Sequence, residues 1–299
     1  MDTFSQRAEE MGLNISKAYK GMYSYEDRFC EVVYRQPFTQ AAPGNPAIKE
    51  DPTDDIAFPY YGVFTRYADL LDYNYIGYVS EIYKFVGNDV LSQSIKDSIA
   101  SSGNALLSEN QFFGAFRSTM RNELILQSGQ QVAVAGDILP LMVVNNSYNG
   151  TRAASLSFGI ATLWNTNYIT YSFKLGEMRM VHIAGSQTSM ATPVTEYVET
   201  FQENIADMIS QSFEKRVSDT EMLATLDLIE AIGKKRREKI ADLLSDPQNL
   251  TAWGLFLAIV KYSSFEPNLN VKRMLENIAQ SVLVIPARMY DVLEKLESQ

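Results

Sequence analysis

Residues 138–160 decide the predicted fold, and their sequence is ILPLMVVNNSYNGTRAASLSFGI. An apolar run over 138–144 precedes Asn149-Gly150, a pair that favours a hairpin because a type I′ turn needs positive φ at both central positions. Residues 156–160 then alternate between large apolar and small side chains, which is the period of a strand with one buried face. The stretch therefore predicts two antiparallel strands joined by a tight turn.

Two more strands are predicted immediately downstream, at 169–173 and 178–183, with turns at 165–167 and 176–177. Together the four strands form an antiparallel meander over 137–183. One of its faces is apolar and the other polar, so the apolar face needs a cover.

The next helix is predicted to supply that cover. Thr192 followed by Pro193 is a strong helix start, because a capping residue precedes a proline at the first helical position. An apolar stripe at helical spacing follows, made of Val194, Tyr197, Val198, Phe201, Ile205, Met208, Ile209 and Phe213.

A shorter helix is predicted before the meander, over 108–124. Ser108 and Gln111 are spaced as a reciprocal cap, and Phe112, Phe116, Met120 and Leu124 recur every four residues. Arg117 and Arg121 would then share one helix face, where a bound anion would relieve their repulsion.

The predicted fold class is α+β: an antiparallel four-stranded meander covered by a long amphipathic helix, with a helical C-terminal part. We divide the chain into an N-terminal arm and Tyr-rich helical region (1–107), an α+β core of helix, β-meander and long helix (108–217), and a C-terminal helical region (218–299). The C-terminal helices are predicted at 219–232, 234–245, 251–264 and 271–298, the last broken at Pro286.

Composition limits the classes of function. The net charge of −10 over 299 residues opposes a protein that coats duplex DNA over its whole surface, although it allows a local groove. The single cysteine, Cys30, cannot form an internal disulfide, so we expect a reducing, cytoplasmic setting, the host cytoplasm if the gene is phage-encoded. We see no signal peptide, and the longest apolar stretch, 253–260, is shorter than the ~20 residues of a membrane span, so no membrane association is expected.

The motifs of common enzyme classes are missing from the sequence. There is no Walker A loop, no Gly-x-Gly-x-x-Gly and no Gly-x-Ser-x-Gly elbow, and the single histidine, His182, precludes a histidine-based zinc site. We therefore expect no catalytic residues, no metal and no cofactor. A hydrolase with a carboxylate metal site is the third and weakest reading.

Positive charge is concentrated in the middle of the chain. Residues 111–190 carry five basic against three acidic side chains, whereas 1–110 and 191–299 are both acidic. Each cation that meets a phosphate releases counterions, so this region is the candidate nucleic-acid surface. Its candidate contacts are Arg117, Arg121, Asn146, Tyr148, Arg152, Lys174 and Arg179, with Tyr171 as an alternative for base stacking and Asn145 as a second amide.

A second basic cluster lies on a predicted short helix and adds Lys234, Lys235, Arg236 and Arg237. For both sets a purely structural reading stays open, since Asn near a turn usually bonds its own backbone and most basic runs are solvated helix faces.

The sequences ILPLMVVNNSYNGT (138–151), LWNTN (163–167) and TAWGLFLAIVKY (251–262) resemble a family of phage- and plasmid-encoded proteins known as domain of unknown function 932. Trp164 and Tyr168 stand where members commonly carry cysteine and glycine. The order helix, meander, long helix is more distantly similar to phage single-strand annealing proteins of the Red-beta and RecT group. That resemblance implies rings or filaments that hold single strands along a basic groove.

Two functions are therefore expected. The first is a non-enzymatic, oligomeric single-stranded DNA-binding and annealing protein of phage recombination. The alternative is a phage structural or protein-interaction module, a virion component or an inhibitor of a host factor, without nucleic-acid binding.

Overall fold

The computed structural model describes residues 86–297 except 115–117, 128–129, 133–134, 149–152, 165–166, 174–176, 181–190 and 245–249, and it describes the backbone of six strands before them. These six strands are β1 (Ser24–Asp27), β2 (Cys30–Pro37), β3 (Thr39–Ala42), β4 (Asn45–Ala47), β5 (Tyr60–Arg66) and β6 (Tyr73–Ser80). The first sheet has the order β1-β2-β5-β6, and β3 pairs with β4. The prediction of a helical Tyr-rich region is wrong for β5 and β6, because tyrosine and its β-branched neighbours favour a pleated surface.

The second part of the chain consists of a helix, followed by a set of strands and then by a set of helices. Its elements are α1 (Asn88–Ser101), β7 (Leu106–Phe113), β8 (Thr119–Leu126), β9 (Gln130–Val132), β10 (Gly136–Ser147), β11 (Ala154–Trp164), β12 (Asn167–Ser172), β13 (Met178–Met180), α2 (Ala191–Glu214), α3 (Asp219–Ile232), α4 (Lys234–Asp242), α5 (Ala252–Ser264), α6 (Leu269–Val282) and α7 (Ala287–Glu297). The α+β class is as predicted. In the described residues no helix is both long and apolar enough to cross a membrane.

The main sheet is antiparallel with the order β12-β11-β10-β8-β7, and it differs from the predicted meander. The strand β13 returns to β11 instead of pairing with β12, and β9 pairs with β10. The reason is length: β11 has 11 residues and β12 pairs only with 159–164, so the first residues of β11 remain available for β13.

The predicted helix over 108–124 is wrong, because β7 and β8 form an antiparallel hairpin there. Apolar residues four positions apart share one face of a helix, and they also share one face of a strand, where every second side chain points the same way. The edge of β10 decides between them, since it pairs with β8 from Leu141↔Ile125 to Ser147↔Thr119.

The main sheet curls strongly. Thr170 on β12 donates to Glu123 on β8 at 2.7 Å, although β10 and β11 lie between these strands. In a flat sheet the two strands would be about 14 Å apart. The face that carries Glu123 and Thr170 is therefore concave.

The convex face is covered as predicted by the long helix. Phe158 stacks on Tyr197 of α2 with ring centroids 4.4 Å apart, and the Tyr197 hydroxyl donates to the Gly159 carbonyl. The predicted stripe of α2 is buried except for Phe213, which is 44% exposed.

The C-terminal helices share the hydrophobic core of the sheet. Phe256 of α5 meets Tyr171 of β12 edge-on at 4.9 Å, and one buried cluster extends from α1 through the sheet to Leu293 of α7. Helix α6 lies over the concave face, where it completes the site described next.

Candidate functional site: the concave face of the main sheet

Register brings one row of side chains together across the concave face. The directly opposed residues are Phe112, Arg121, Asn145, Ser155 and Arg179, on β7, β8, β10, β11 and β13 in turn. Opposed residues of an antiparallel pair point to the same face with Cβ atoms about 5 Å apart. The row therefore runs from an aromatic ring through a buried arginine to an exposed arginine.

Four buried charges form the centre of this face. Arg121 donates from Nε to Glu123 at 2.8 Å, and its two terminal nitrogens bind both oxygens of Glu276 on α6 at 2.9 and 2.6 Å. Lys272 donates to Glu123 at 2.8 Å, and its ammonium lies 4.9 Å from the centre of the Phe112 ring. All four charged side chains are at most 4% exposed, and the two cations balance the two anions.

The electrostatics of this charged cluster are set by burial and by the neighbouring charges. Burial alone would raise the pKa of Glu123, but Arg121 and Lys272 together with the Thr170 hydroxyl lower it to about 2. Burial would likewise lower the pKa of Arg121, and the carboxylates of Glu276 and Glu123 raise it instead. For Lys272, burial and the charge of Arg121 outweigh the two glutamates, and its pKa is lowered.

The prediction that Arg121 contacts a phosphate is wrong. Its three guanidinium nitrogens all bind carboxylate oxygens, and 4% of its side chain is exposed. Removing either glutamate would leave an unpaired charge in the interior, which is strongly unfavourable.

A small cleft adjoins the charged cluster between the sheet and α6, with a volume of about 20 Å³ for the centres of water-sized groups. On its wall Glu177 accepts from Arg273 at 2.7 Å and from the Ser155 hydroxyl at 2.8 Å. The hydroxyls of Ser157 and Ser172 and the amide of Asn277 also line it, and no hydrogen bond ties these three side chains to other residues that the structure describes. Ser157 lines the cleft although it is only 3% exposed. Within the described residues, the cleft thus offers three side chains whose hydrogen-bonding groups have no partner.

Asn146 and Tyr148 are buried and bonded within the chain, and the prediction that they contact nucleic acid is wrong. Asn146 donates to the Val86 carbonyl at 2.7 Å and to the Asn88 side chain at 2.9 Å. The Tyr148 hydroxyl accepts from the backbone N–H of Asn88 at 3.0 Å. Helix α1 has Gly87 at its N-cap without a side-chain cap, so Tyr148 satisfies an N–H that the helix leaves unpaired.

The alternatives for stacking and hydrogen bonding are also accounted for. Tyr171 is fully buried against Phe256, so it cannot stack on a base. Asn145 is half-buried, lines the cleft and lies 3.4 Å from the Ser155 hydroxyl through its amide nitrogen.

The basic cluster of α4 divides into two groups. Arg236 binds Glu266 at 3.0 Å and Arg237 binds Glu230 at 3.1 Å, so these arginines hold the helix against its neighbours. Lys234 and Lys235 are exposed. Arg179 is exposed in the middle of the short strand β13, with no ion-pair partner in the described part of the chain. The candidates Arg117, Arg152 and Lys174, and His182, lie outside the described residues.

The sequence did not reveal that Lys272, Arg273 and Glu276 belong to this site. On an amphipathic helix, Lys272 and Glu276 are four residues apart and resemble a solvated ion pair. Lys272 pairs with Glu123 and Glu276 pairs with Arg121, and both partners lie about 150 residues earlier. Only the curl of the sheet brings the two segments together.

Among the described residues, no group of three or more histidine, cysteine, aspartate or glutamate side chains is placed to hold a metal ion. Comparisons of the chain with protein-family models, with curated proteins and with solved structures found no match.

Proposed function

We propose that the protein is a non-enzymatic, phage-type single-stranded DNA-binding and annealing protein that works as an oligomer. The observation that carries the proposal is the pair of exposed arginines beside the concave-face cleft. The exposed Arg179 stands in register with Ser155, whose hydroxyl donates to Glu177 on the cleft wall, and the side chain of Arg273, which also lines the cleft, is 35% exposed.

A phosphodiester backbone fits these groups chemically. Phosphate oxygens accept hydrogen bonds from arginine, hydroxyl and amide groups, and such contacts hold a strand without reading its sequence. Ser157, Ser172 and Asn277 line the cleft together with Arg273, and none of the three has a hydrogen-bond partner among the described residues. Because Glu177 already binds Arg273, and Glu276 already binds Arg121, neither carboxylate presents a net unpaired negative charge to the strand.

The same pairing argues against acid–base chemistry at this cleft. A general base needs a carboxylate whose oxygens are free to take a proton from substrate. Both oxygens of Glu276 are held by Arg121, and those of Glu177 by Arg273 and Ser155.

The test is the salt dependence of binding, measured by fluorescence anisotropy of a labelled single-stranded oligonucleotide. The protein should bind the oligonucleotide tightly at low salt, and its affinity should fall steeply as the salt concentration rises. If Arg179 neutralises one phosphate, Arg179→Ala should reduce the slope of log K against log salt by about 0.7. Lys215→Ala removes an exposed cation elsewhere and is the matched control.

Annealing is tested separately, with two complementary oligonucleotides that carry a fluorescent donor and acceptor. The protein should accelerate their pairing, and Arg179→Ala should slow it. If the wild-type protein does not bind single-stranded DNA at low salt, the proposal is refuted.

A second function, a protein-interaction module without nucleic-acid binding, is favoured by a different observation. Helix α3 exposes Leu223 and Leu228 to solvent, at 48% and 57%. Each of these leucines is a large apolar side chain that a partner protein could cover. Failure of the oligonucleotide test would make this function the better one.

A further inference from the structure

Helix α3 is apolar on more of its circumference than the protein covers. Eight of its 14 residues are apolar, yet only Leu226 and Ile229 are buried. Leu228 and Leu223 lie outside that buried line and are 57% and 48% exposed. A helix that is apolar around most of its surface is normally covered on both sides.

Helices α3 and α4 carry opposite charge. Helix α3 contains four acidic residues and no basic one, whereas α4 contains five basic and two acidic residues. Only Gly233 separates them, so an acidic surface and a basic surface adjoin on the same chain.

Two arginines of α4 already form ion pairs within the chain. The pairs Arg236–Glu266 and Arg237–Glu230 anchor the helix. Lys234 and Lys235 remain exposed on α4, and Asp227 is 71% exposed on α3, 4.0 Å from Arg237.

We infer that α3 and α4 together form a contact with a second copy of this chain. In a two-fold arrangement the acidic helix of each copy lies against the basic helix of the other, and Leu228 is covered between them. A two-fold interface uses the same surface on both partners, so a chain that carries both signs side by side complements itself. Opposite charges across the contact fix its orientation and disfavour other alignments.

This inference rests on the oligomeric part of the proposed function and names its surface. It does not depend on DNA, because neither Arg179 nor the cleft takes part. Its test is therefore made on nuclease-treated protein, where failure to assemble and failure to bind DNA are separate results.

The first experiment measures the molar mass of the full chain by sedimentation over a range of concentrations. Wild-type protein should associate, and Leu228→Lys should raise the dissociation constant roughly 100-fold, because it places an unpaired charge in an apolar contact. The matched control is Val90→Lys, since Val90 is 56% exposed on α1, away from the proposed contact. A monomeric wild-type protein, or equal association of both variants, would overturn the inference.

The second experiment uses charge exchange between two variants. Lys234→Glu with Lys235→Glu places acid against acid in a homodimer, and Asp227→Lys places base against base, so each variant alone should associate less than the wild type. An equal mixture restores opposite signs at both halves of the interface and should form a heterodimer. If the mixture associates no better than the separate variants, the inference fails, and unchanged thermal unfolding of each variant shows that folding is not the cause.

Discussion

At the residue scale, the function of a charged side chain depends on what the fold places beside it. From the sequence, Arg121 was indistinguishable from Arg179, since both lie in the basic middle segment. The structure buries the first between Glu123 and Glu276 and exposes the second at a sheet edge. Nothing local to Arg121 predicts this, because Glu276 is 155 residues away.

The buried charges predict how stability depends on pH. The pKa of Glu123 is about 2 in the folded protein against an ordinary value of 4.5. A depressed carboxyl pKa stabilises the folded state above the ordinary value, and this contribution is lost as pH falls through 4.5 towards 2. The loss should be about 3 kcal/mol, as 1 pKa unit corresponds to about 1.4 kcal/mol.

Urea unfolding between pH 7 and pH 2 measures this effect. Glu123→Gln should reduce the fall in the free energy of unfolding below pH 4.5. Glu203→Gln, in the exposed pair with Arg288, should leave that fall unchanged. If the free energy of unfolding of Glu123→Gln fell with decreasing pH as steeply as that of the wild type, Glu123 would not be the group responsible.

At the element scale, periodicity predicted the helices well and the strands less well. Helix α3 has the predicted bounds, and α2 begins within one residue of Thr192. The strand β8 was misassigned because its apolar residues recur every four positions, and only pairing with β10 distinguishes the alternatives. The position of β13 depends on the unequal lengths of β11 and β12, which no local pattern encodes.

The curl of the sheet requires a glycine on β11. A Cβ at Gly159 would overlap the carbonyl oxygen of Tyr171 and crowd the backbone of Ser172 on β12. We expect Gly159→Ala to destabilise the protein by about 1–3 kcal/mol, because backbone atoms must move to admit the methyl group.

Chemical denaturation measures that loss, with Ser157→Ala as the control two residues earlier on the same face. This serine lines the cleft, so removal of its hydroxyl should change stability by less than about 0.5 kcal/mol. If the two substitutions had equal effects, the close approach of the β12 backbone to Gly159 would not contribute to stability.

At the scale of the whole molecule, the α+β class and the long helix that follows the sheet were predictable, because they follow from hydrophobic periodicity. The candidate site was not, since it joins β8, β10, β11, β13 and α6 through the curl of the sheet. Two different surfaces result: a cleft on the concave face for the proposed strand, and the α3–α4 surface for the proposed partner copy.

If both proposals hold, association and DNA binding are coupled through oligonucleotide length. Leu228→Lys should weaken binding of a long oligonucleotide that spans both copies of the dimer by about 100-fold, since linked sites gain effective concentration. Binding of an oligonucleotide that reaches one cleft should stay unchanged. Anisotropy over a length series measures both, and an equal loss at all lengths would show that Leu228 acts on the strand site itself.

The pairing of Arg121 with Glu276 also constrains the order in which the protein can mature on the ribosome. Strand β8 is translated long before α6, so a nascent sheet holds a guanidinium and a carboxylate in its interior without their C-terminal counterparts. Docking of α6 must then follow formation of the sheet, and a stalled chain that ends before Lys272 would expose the concave face to quality-control proteases.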